Sequence, residues 1–289
     1  MAHDVGYSDA YCGSCAYVFA RAPKGDNRKI PMLAMMLGWN IFPYVAGVVF
    51  ALALLGAVVA LRSRNRSRVA IVMSVLAVVV MSAFVAALWL TLERPPLRTM
   101  GETRLWYSLF LLLAGVFTYI RWSYRWVLSF STLMATVFMT INILRPELHD
   151  QTLMPALQSV WFVPHVTVYM FSYALLGCAT LLSLYGLVRP RADVGEAVER
   201  LIYGGVAFFS VGMLTGALWA KEAWGAYWSW DAKEAWAAVT WAIYLIALHL
   251  GAGRRRFYLC VVLGFVALQM CWWGISYLPS AADSVHAYN

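Results

Sequence analysis

The sequence predicts an all-α fold, a polytopic membrane helix bundle of about eight transmembrane helices. Three observations predict it. The 289 residues are 62% hydrophobic and only 12% charged, whereas a soluble domain carries about 25% charged residues. The apolar residues come in runs close to the ~20 needed to cross the hydrocarbon core of a bilayer. The cations gather between those runs rather than across one face. The net charge of +8 is therefore read as loop charge that sets topology, and nucleic acid is not expected as a partner. No repeat and no low-complexity segment is evident, so one membrane domain is expected, with the lipid bilayer as its surroundings.

The runs follow in order along the chain. The first, 39–61, ends at Arg62, Arg64, Arg66 and Arg68, and the second, 69–91, ends before Arg94, Arg98 and Arg104. The third, 105–121, is short, and Arg121 and Arg125 separate it from the fourth, 125–144, which stops at Arg145. The fifth, 161–188, is long enough to tilt or protrude, and Arg189, Arg191 and Arg200 separate it from the sixth, 200–220. Lys221 and Lys233 precede the seventh, 234–251, and Arg254, Arg255 and Arg256 precede the eighth, 256–276. Loops after odd-numbered runs hold twelve basic residues and loops after even-numbered runs hold six. The positive-inside rule puts the first set in the cytoplasm. Both termini and the segment between runs six and seven then face outward. Arg21, Lys24, Arg28 and Lys29 in the N-terminal tail oppose that direction for the first span.

Between runs six and seven stands Trp224-Gly-Ala-Tyr-Trp-Ser-Trp-Asp-Ala-Lys-Glu-Ala-Trp236. Four of its thirteen residues are Trp, with Asp231, Lys233 and Glu234 interleaved. Composition alone leaves two readings open. Trp and Tyr collect at membrane interfaces as a belt. A broad, flat aromatic shelf would equally suit a large planar ligand, with indole N–H and Lys at its polar edge. If the stretch is helical, Trp224, Trp228 and Asp231 share one face at i, i+4 and i+7.

Trp224, Gly225, Trp228, Trp230, Asp231 and Glu234 stand in the spacing WGxxWxWDxxE. The stretch resembles the WWD motif of membrane haem-handling proteins: the CcsA (ResC) subunit of system II cytochrome c maturation, and CcmC and CcmF of system I. Trp236, Trp241, Tyr244 and His249 continue in a manner similar to the CcsA branch. The block Pro155–Gly177 resembles the segment around that family's first external His, and Ser284–Tyr288 is similar to its closing motif. The resemblance covers about 155–289. The expected organisation is a polar tail over 1–38 carrying Cys12-x-x-Cys15, N-terminal helices over 39–152, and a CcsA-like haem-handling core over 153–289.

Of the five His, a lone one near a membrane span is costly unless paired or functional. His165 opens the fifth run and His286 lies three residues from the C-terminus. Read without the family, they are an interfacial His and a tail His. The resemblance implies that both are external axial ligands of haem b iron at the WWD segment. It makes His249, near the inner end of run seven, a ligand of an intramembrane or inner-leaflet haem site. The bland alternative for His249 is a bond to a neighbouring backbone carbonyl. His149 and His3 match no ligand position and are read as solvated. Cys178, Cys260 and Cys271 fall inside apolar runs and are read as small buried hydrophobes. Cys12 and Cys15 lack a following His, so they do not form a haem attachment motif.

The resemblance implies haem export and presentation, followed by covalent attachment of haem to apocytochrome c bearing a CxxCH motif. A CcsB/ResB-type membrane subunit is the implied partner, a thiol-reducing protein a further one, and the bacterial cytoplasmic membrane the implied location. Asp231 is expected to orient the segment through backbone or indole N–H bonds. Arg94, Arg98, Arg104 and Arg145 are candidates to hold the haem carboxylates by charge and side. The rival readings are a system I-type WWD exporter that makes no thioether, and a membrane transporter unrelated to haem.

Overall fold

The computed structural model describes residues 38–97, 99–145, 159–189, 191–272 and 274–277. Cys12, Cys15, His3, His149, His286 and Arg98 lie outside them. The described residues are helical with no strand, as the sequence predicts. Eight helices of eighteen or more residues follow a short 3-10 turn at Trp39–Ile41: α1 (Phe42–Arg62), α2 (Arg68–Leu92), α3 (Met100–Trp122), α4 (Arg125–Leu144), α5 (Phe162–Val188), α6 (Ala192–Trp224), α7 (Ala232–His249) and α8 (Arg255–Trp272).

Seven of the eight are long and apolar enough to cross a membrane. The exception is α7, whose first turn carries Lys233 and Glu234 and whose last turn ends in His249. It packs against α8 along its length and against α6. Large side chains such as Leu54, Val72, Val79, Leu133, Leu214, Leu263 and Val266 stand exposed on the outside of the bundle. An apolar surface of that extent suits acyl chains rather than water.

Two expected lengths are corrected. The third helix starts at Met100 rather than 105, because Thr99 and Glu102 form a capping box that satisfies the first-turn N–H groups. The sixth, not the fifth, is the longest. Its 33 residues span about 50 Å, beyond the ~30 Å of hydrocarbon. Asp193, Glu196, Glu199 and Arg200 hid its first turns from an apolar-run reading, since charged residues continue a helix into the interface as readily as apolar ones.

Helices α1–α4 pack as a ring, α1 on α2, α2 on α3, α3 on α4 and α4 on α1. Phe42, Met81, Phe84, Leu88, Leu105 and Leu109 fill its middle. Helices α5–α8 form a second ring through the α5–α6, α6–α7, α7–α8 and α8–α5 contacts, around Leu176, Leu182, Phe209, Tyr244, Tyr258 and Leu268. The two rings meet mainly where α3 lies against α5.

Successive helices run antiparallel, so the loops sort into two ends. At one end Arg66 donates to the Ile120 carbonyl, Arg125 donates to the Ser63 carbonyl, and Tyr124 donates to Asp193 at 3.4 Å. This is the arginine-rich end. At the other, Ser159 donates to Glu222 and the Cys271 thiol donates to the Lys233 carbonyl at 3.4 Å. This tryptophan-rich end holds the residue 225–231 connection, the start of α5 and the end of α8. Cys178 and Cys271 are buried and Cys260 is partly buried, all as free thiols.

Candidate functional site

His165 sits in the first turn of α5, just after Pro164, which a first helical turn tolerates because the missing N–H has no intrahelical partner there. Its half-buried ring faces α6. Nδ1 lies 2.8 Å from the Gly212 carbonyl oxygen. A carbonyl only accepts, so Nδ1 carries the proton and, in the neutral ring, the lone pair falls on Nε2. The imidazole stacks on Trp219 at 5.3 Å with 27° between planes, and meets Tyr169 edge-on at 4.8 Å.

Two glycines make room for this packing. A Cβ at Gly212 would stand 2.7 Å from the Tyr169 ring, and one at Gly216 would stand 2.6 Å from both Cε1 and Nδ1 of His165. Gly212 and Gly216 are four residues apart in Gly-Met-Leu-Thr-Gly. That small-xxx-small spacing lets two membrane helices approach closely, and it is the signal by which these positions were open to reading from sequence.

The aromatic segment continues upward from Trp219, which is buried. Trp224 meets it at 4.8 Å and 63°. Gly225 then ends α6 with φ +85°, in the left-handed region glycine adopts without cost. Its amide donates to the Lys221 carbonyl at 3.0 Å, and Lys221 Nζ donates to the Gly225 carbonyl at 2.7 Å.

The conditional helical reading of Trp224–Asp231 is therefore overturned: residues 225–231 are irregular, and α7 starts only at Ala232. Gly225 stops one helix and Asp231 caps the next. A single flat shelf is not formed either, since Trp228 and Trp230 cross at 84° with centroids 5.8 Å apart. The segment is a rim of indoles in different planes, with Trp230 75% exposed.

Asp231 and Glu234 form a capping box on α7. Asp231 Oδ2 accepts from the Lys233 amide at 3.1 Å, a backbone-directed role like the one expected of it. Glu234 does more than cap. Its Oε2 accepts from the Ser229 amide at 2.8 Å and the Asp231 amide at 3.2 Å, and from the Ser229 hydroxyl at 3.2 Å. These bonds bracket Trp230, whose φ of +58° is uncommon for a bulky residue. One carboxylate thus holds the Trp230 backbone in a conformation it would otherwise leave.

The two lysines considered for a ligand's polar edge differ. Lys221 is engaged with Gly225 and lies over the Tyr227 ring at 5.4 Å. Lys233 is half-buried over the end of α8, and burial lowers its ammonium pKa, opposed by the nearby Asp231 carboxylate.

Among the buried side-chain atoms here, Trp228 Nε1 has no hydrogen-bond partner. An enclosed indole N–H without an acceptor is costly, and a ligand oxygen would satisfy it. An imidazole with its lone pair on Nε2, an aromatic rim and an unsatisfied donor fit a macrocycle that needs axial nitrogen, apolar faces and acceptor edges. Among the described residues no three His, Cys, Asp or Glu converge as ligands of a bare metal ion.

His249 lies at the arginine-rich end, at the close of α7, and is exposed. Its Nδ1 donates to the Leu245 carbonyl at 2.7 Å, which is the bond of the bland reading. The same bond puts the neutral ring's lone pair on Nε2. His165 and His249 thus lie at opposite ends of the bundle and do not share a site.

Residues 97–281 match the family described as Cytochrome C assembly protein. The match begins within the first ring, well before the Pro155 block, and ends ahead of His286. Cytochrome c biogenesis protein CcsA of Chlamydomonas reinhardtii is 34% identical over 175 residues, covering 55% of this chain and 49% of that protein. The chain thus spans about half the length of that relative. The CcsA of Pelargonium hortorum is 32% identical over 218 residues, covering 57% of this chain and 68% of that protein. The CcsA of Guillardia theta is 27% identical over 256 residues, covering 75% of this chain and 84% of that protein. With more than half its length inside the family match, and with these relatives, the chain belongs to the cytochrome c assembly protein family, in its CcsA branch.

Proposed function

We propose that the chain acts in cytochrome c biogenesis by holding haem b at the tryptophan-rich end, with His165 as one axial ligand and His286 as the other. It would act with a CcsB-type membrane subunit to attach haem to apocytochrome c. The carrying observation is the His165 imidazole, oriented by the Gly212 carbonyl so that Nε2 is the basic nitrogen, and backed by Trp219. His286 lies nine residues beyond Tyr277, and so many residues can extend about 30 Å. Tyr277 follows α8 at the tryptophan-rich end, so His286 is within reach of the His165 side of the bundle.

Bound haem would supply the two vinyl groups to which the substrate's thiols add. The chain's own part is positioning. His165 and the indoles would fix the ring's distance and tilt, and Trp228 Nε1–H would donate to a polar edge. Correct placement of reacting groups is worth on the order of 7–11 kcal/mol when well achieved. His249, exposed at the arginine-rich end, is proposed as a ligand of a second haem site completed by the partner subunit, since His165 is the only other His among the described residues.

The test is an absorption spectrum of the purified protein, made with and without the partner subunit. The wild type is expected to show a Soret band. His165→Gly and His286→Gly should lose it and regain it with added imidazole. Spectra unchanged by both substitutions would remove these ligands. Covalent cytochrome c formed in a host lacking its own maturation system would separate attachment from export alone.

A further inference from the structure

Where the two rings meet, α3, α5 and α6 leave a cleft of about 360 Å³. Phe117 of α3, Phe171 of α5 and Phe208 of α6 wall it, with the buried Leu175 and Leu201 at its back. Phe171 meets Phe208 edge-on at 4.8 Å. Phe117 and Phe208 are exposed, so the cleft opens to the outside of the bundle. Among the described residues that line it, Arg200 is the one polar side chain.

The depth of Arg200 follows from the sequence. Residues 201–220 carry no charge before Lys221, and these twenty helical residues rise about 30 Å, the thickness of the hydrocarbon. Arg200 therefore stands at headgroup level on the arginine-rich side, and the cleft runs from it about 12 Å inward to Phe208. The α3 wall has the same polarity. Phe117 meets Trp122 at 5.8 Å, and the Arg121 guanidinium lies over Trp122 at 5.3 Å. An aromatic and a cation thus close α3 at the level where membrane interfaces favour both.

We infer that this cleft binds an anionic phospholipid of the leaflet at the arginine-rich end, with an acyl chain between the phenylalanines and the phosphate on Arg200. Shape and chemistry select that occupant. A helix about 10 Å across would place less than one turn in such a volume, so a partner's span does not fit inside. The described lining offers no imidazole, thiol or thioether to ligate haem iron. Basic sites between membrane helices on the cation-rich side are where anionic headgroups dock. Glu196, one turn before Arg200, accepts from one of its nitrogens in an exposed pair. A guanidinium carries five N–H donors, so donors remain for a phosphate. Because the cleft joins α3 of the first ring to α5 and α6 of the second, the lipid completes the packing between them. The inference stands apart from the haem reading.

The test uses full-length protein in mild detergent, incubated with dioleoylphosphatidylglycerol or dioleoylphosphatidylcholine, which share chains and differ in net charge. Retained lipid is counted by native mass spectrometry. The wild type is expected to retain the anionic lipid about fivefold over the zwitterionic one, the worth of one cation at a membrane surface. Arg200→Gln should bring that ratio close to one. Arg64→Gln, which removes a cation of the same end outside the cleft lining, should leave it unchanged. A Cβ at Gly204 would meet Leu175 Cδ1 at 3.5 Å, an ordinary contact, so Gly204→Leu fills the cleft without forcing the backbone and should lower retention of both lipids. Equal retention of the two lipids by the wild type, or a preference that survives Arg200→Gln, overturns the proposal. So does Gly204→Leu retaining lipid like the wild type. If that variant keeps its lipid but loses haem, the cleft serves haem instead. Because Arg200 is exposed, its variant stays informative even if Gly204→Leu misfolds.

Discussion

Gly216 is where a single hydrogen atom decides whether the imidazole is held. A methyl group there would stand 2.6 Å from the His165 ring, and neither helix backbone can yield without disturbing the α5–α6 contact. We expect Gly216→Ala to lower stability by about 1–3 kcal/mol and to weaken haem retention, because His165 must rotate off the Gly212 carbonyl. Thermal unfolding and the Soret intensity per protein measure the two effects. A variant with wild-type haem content would show that the His165 orientation seen here is dispensable. At this scale the sequence shows the residue kinds of His165, Trp228 and Asp231 and, in the spacing of Gly212 and Gly216, a close helix approach, but not the ring those glycines face. Their part depends on a ring belonging to another helix, 47 residues away in the Gly212–His165 bond.

The connection between α6 and α7 shows how an element boundary shapes the site. Glycine at 225 and aspartate at 231 are strong stop and start signals, and they close off the helical option that would have set Trp224, Trp228 and Asp231 on one face. The terminators prevail because Gly225 in the left-handed region and the Asp231–Glu234 capping box satisfy the orphan groups of two helix ends at once. Glu234 carries the most weight, with three bonds to Ser229 and Asp231 around Trp230. Glu234→Ala is expected to cost about 2 kcal/mol and to open the Tyr227–Trp230 stretch to limited proteolysis. If cleavage and melting temperature match the wild type, the carboxylate does not hold this turn. The steep angle between Trp228 and Trp230 follows from the same irregular backbone. Side chains on consecutive turns of one helix would have formed a smoother face.

At the scale of the molecule, the two ends differ in charge, and that difference carries an orientation. Twelve cations flank the helix connections of the arginine-rich end and six those of the other, so we expect the tryptophan-rich end to face away from the cytoplasm. In a Cys12→Ser/Cys15→Ser background, a cysteine replacing Tyr227 should react with a membrane-impermeant maleimide in intact cells. One replacing Arg64 should react only after the cells are opened. The reverse pattern would invert the topology and put haem on the other side. Residue order alone was enough for the helical class, the approximate place of every long helix and the chemical kinds in the Trp-rich segment. Those properties follow from local hydrophobicity and residue type, which the bilayer reads directly. The folded arrangement was needed to show that α6 is the longest helix, that the indoles lie in different planes, and that Arg94 is spent on Glu102 while Arg104 is not. Each of these depends on which groups from distant helices meet in space, and no local pattern of apolar and charged residues encodes that meeting.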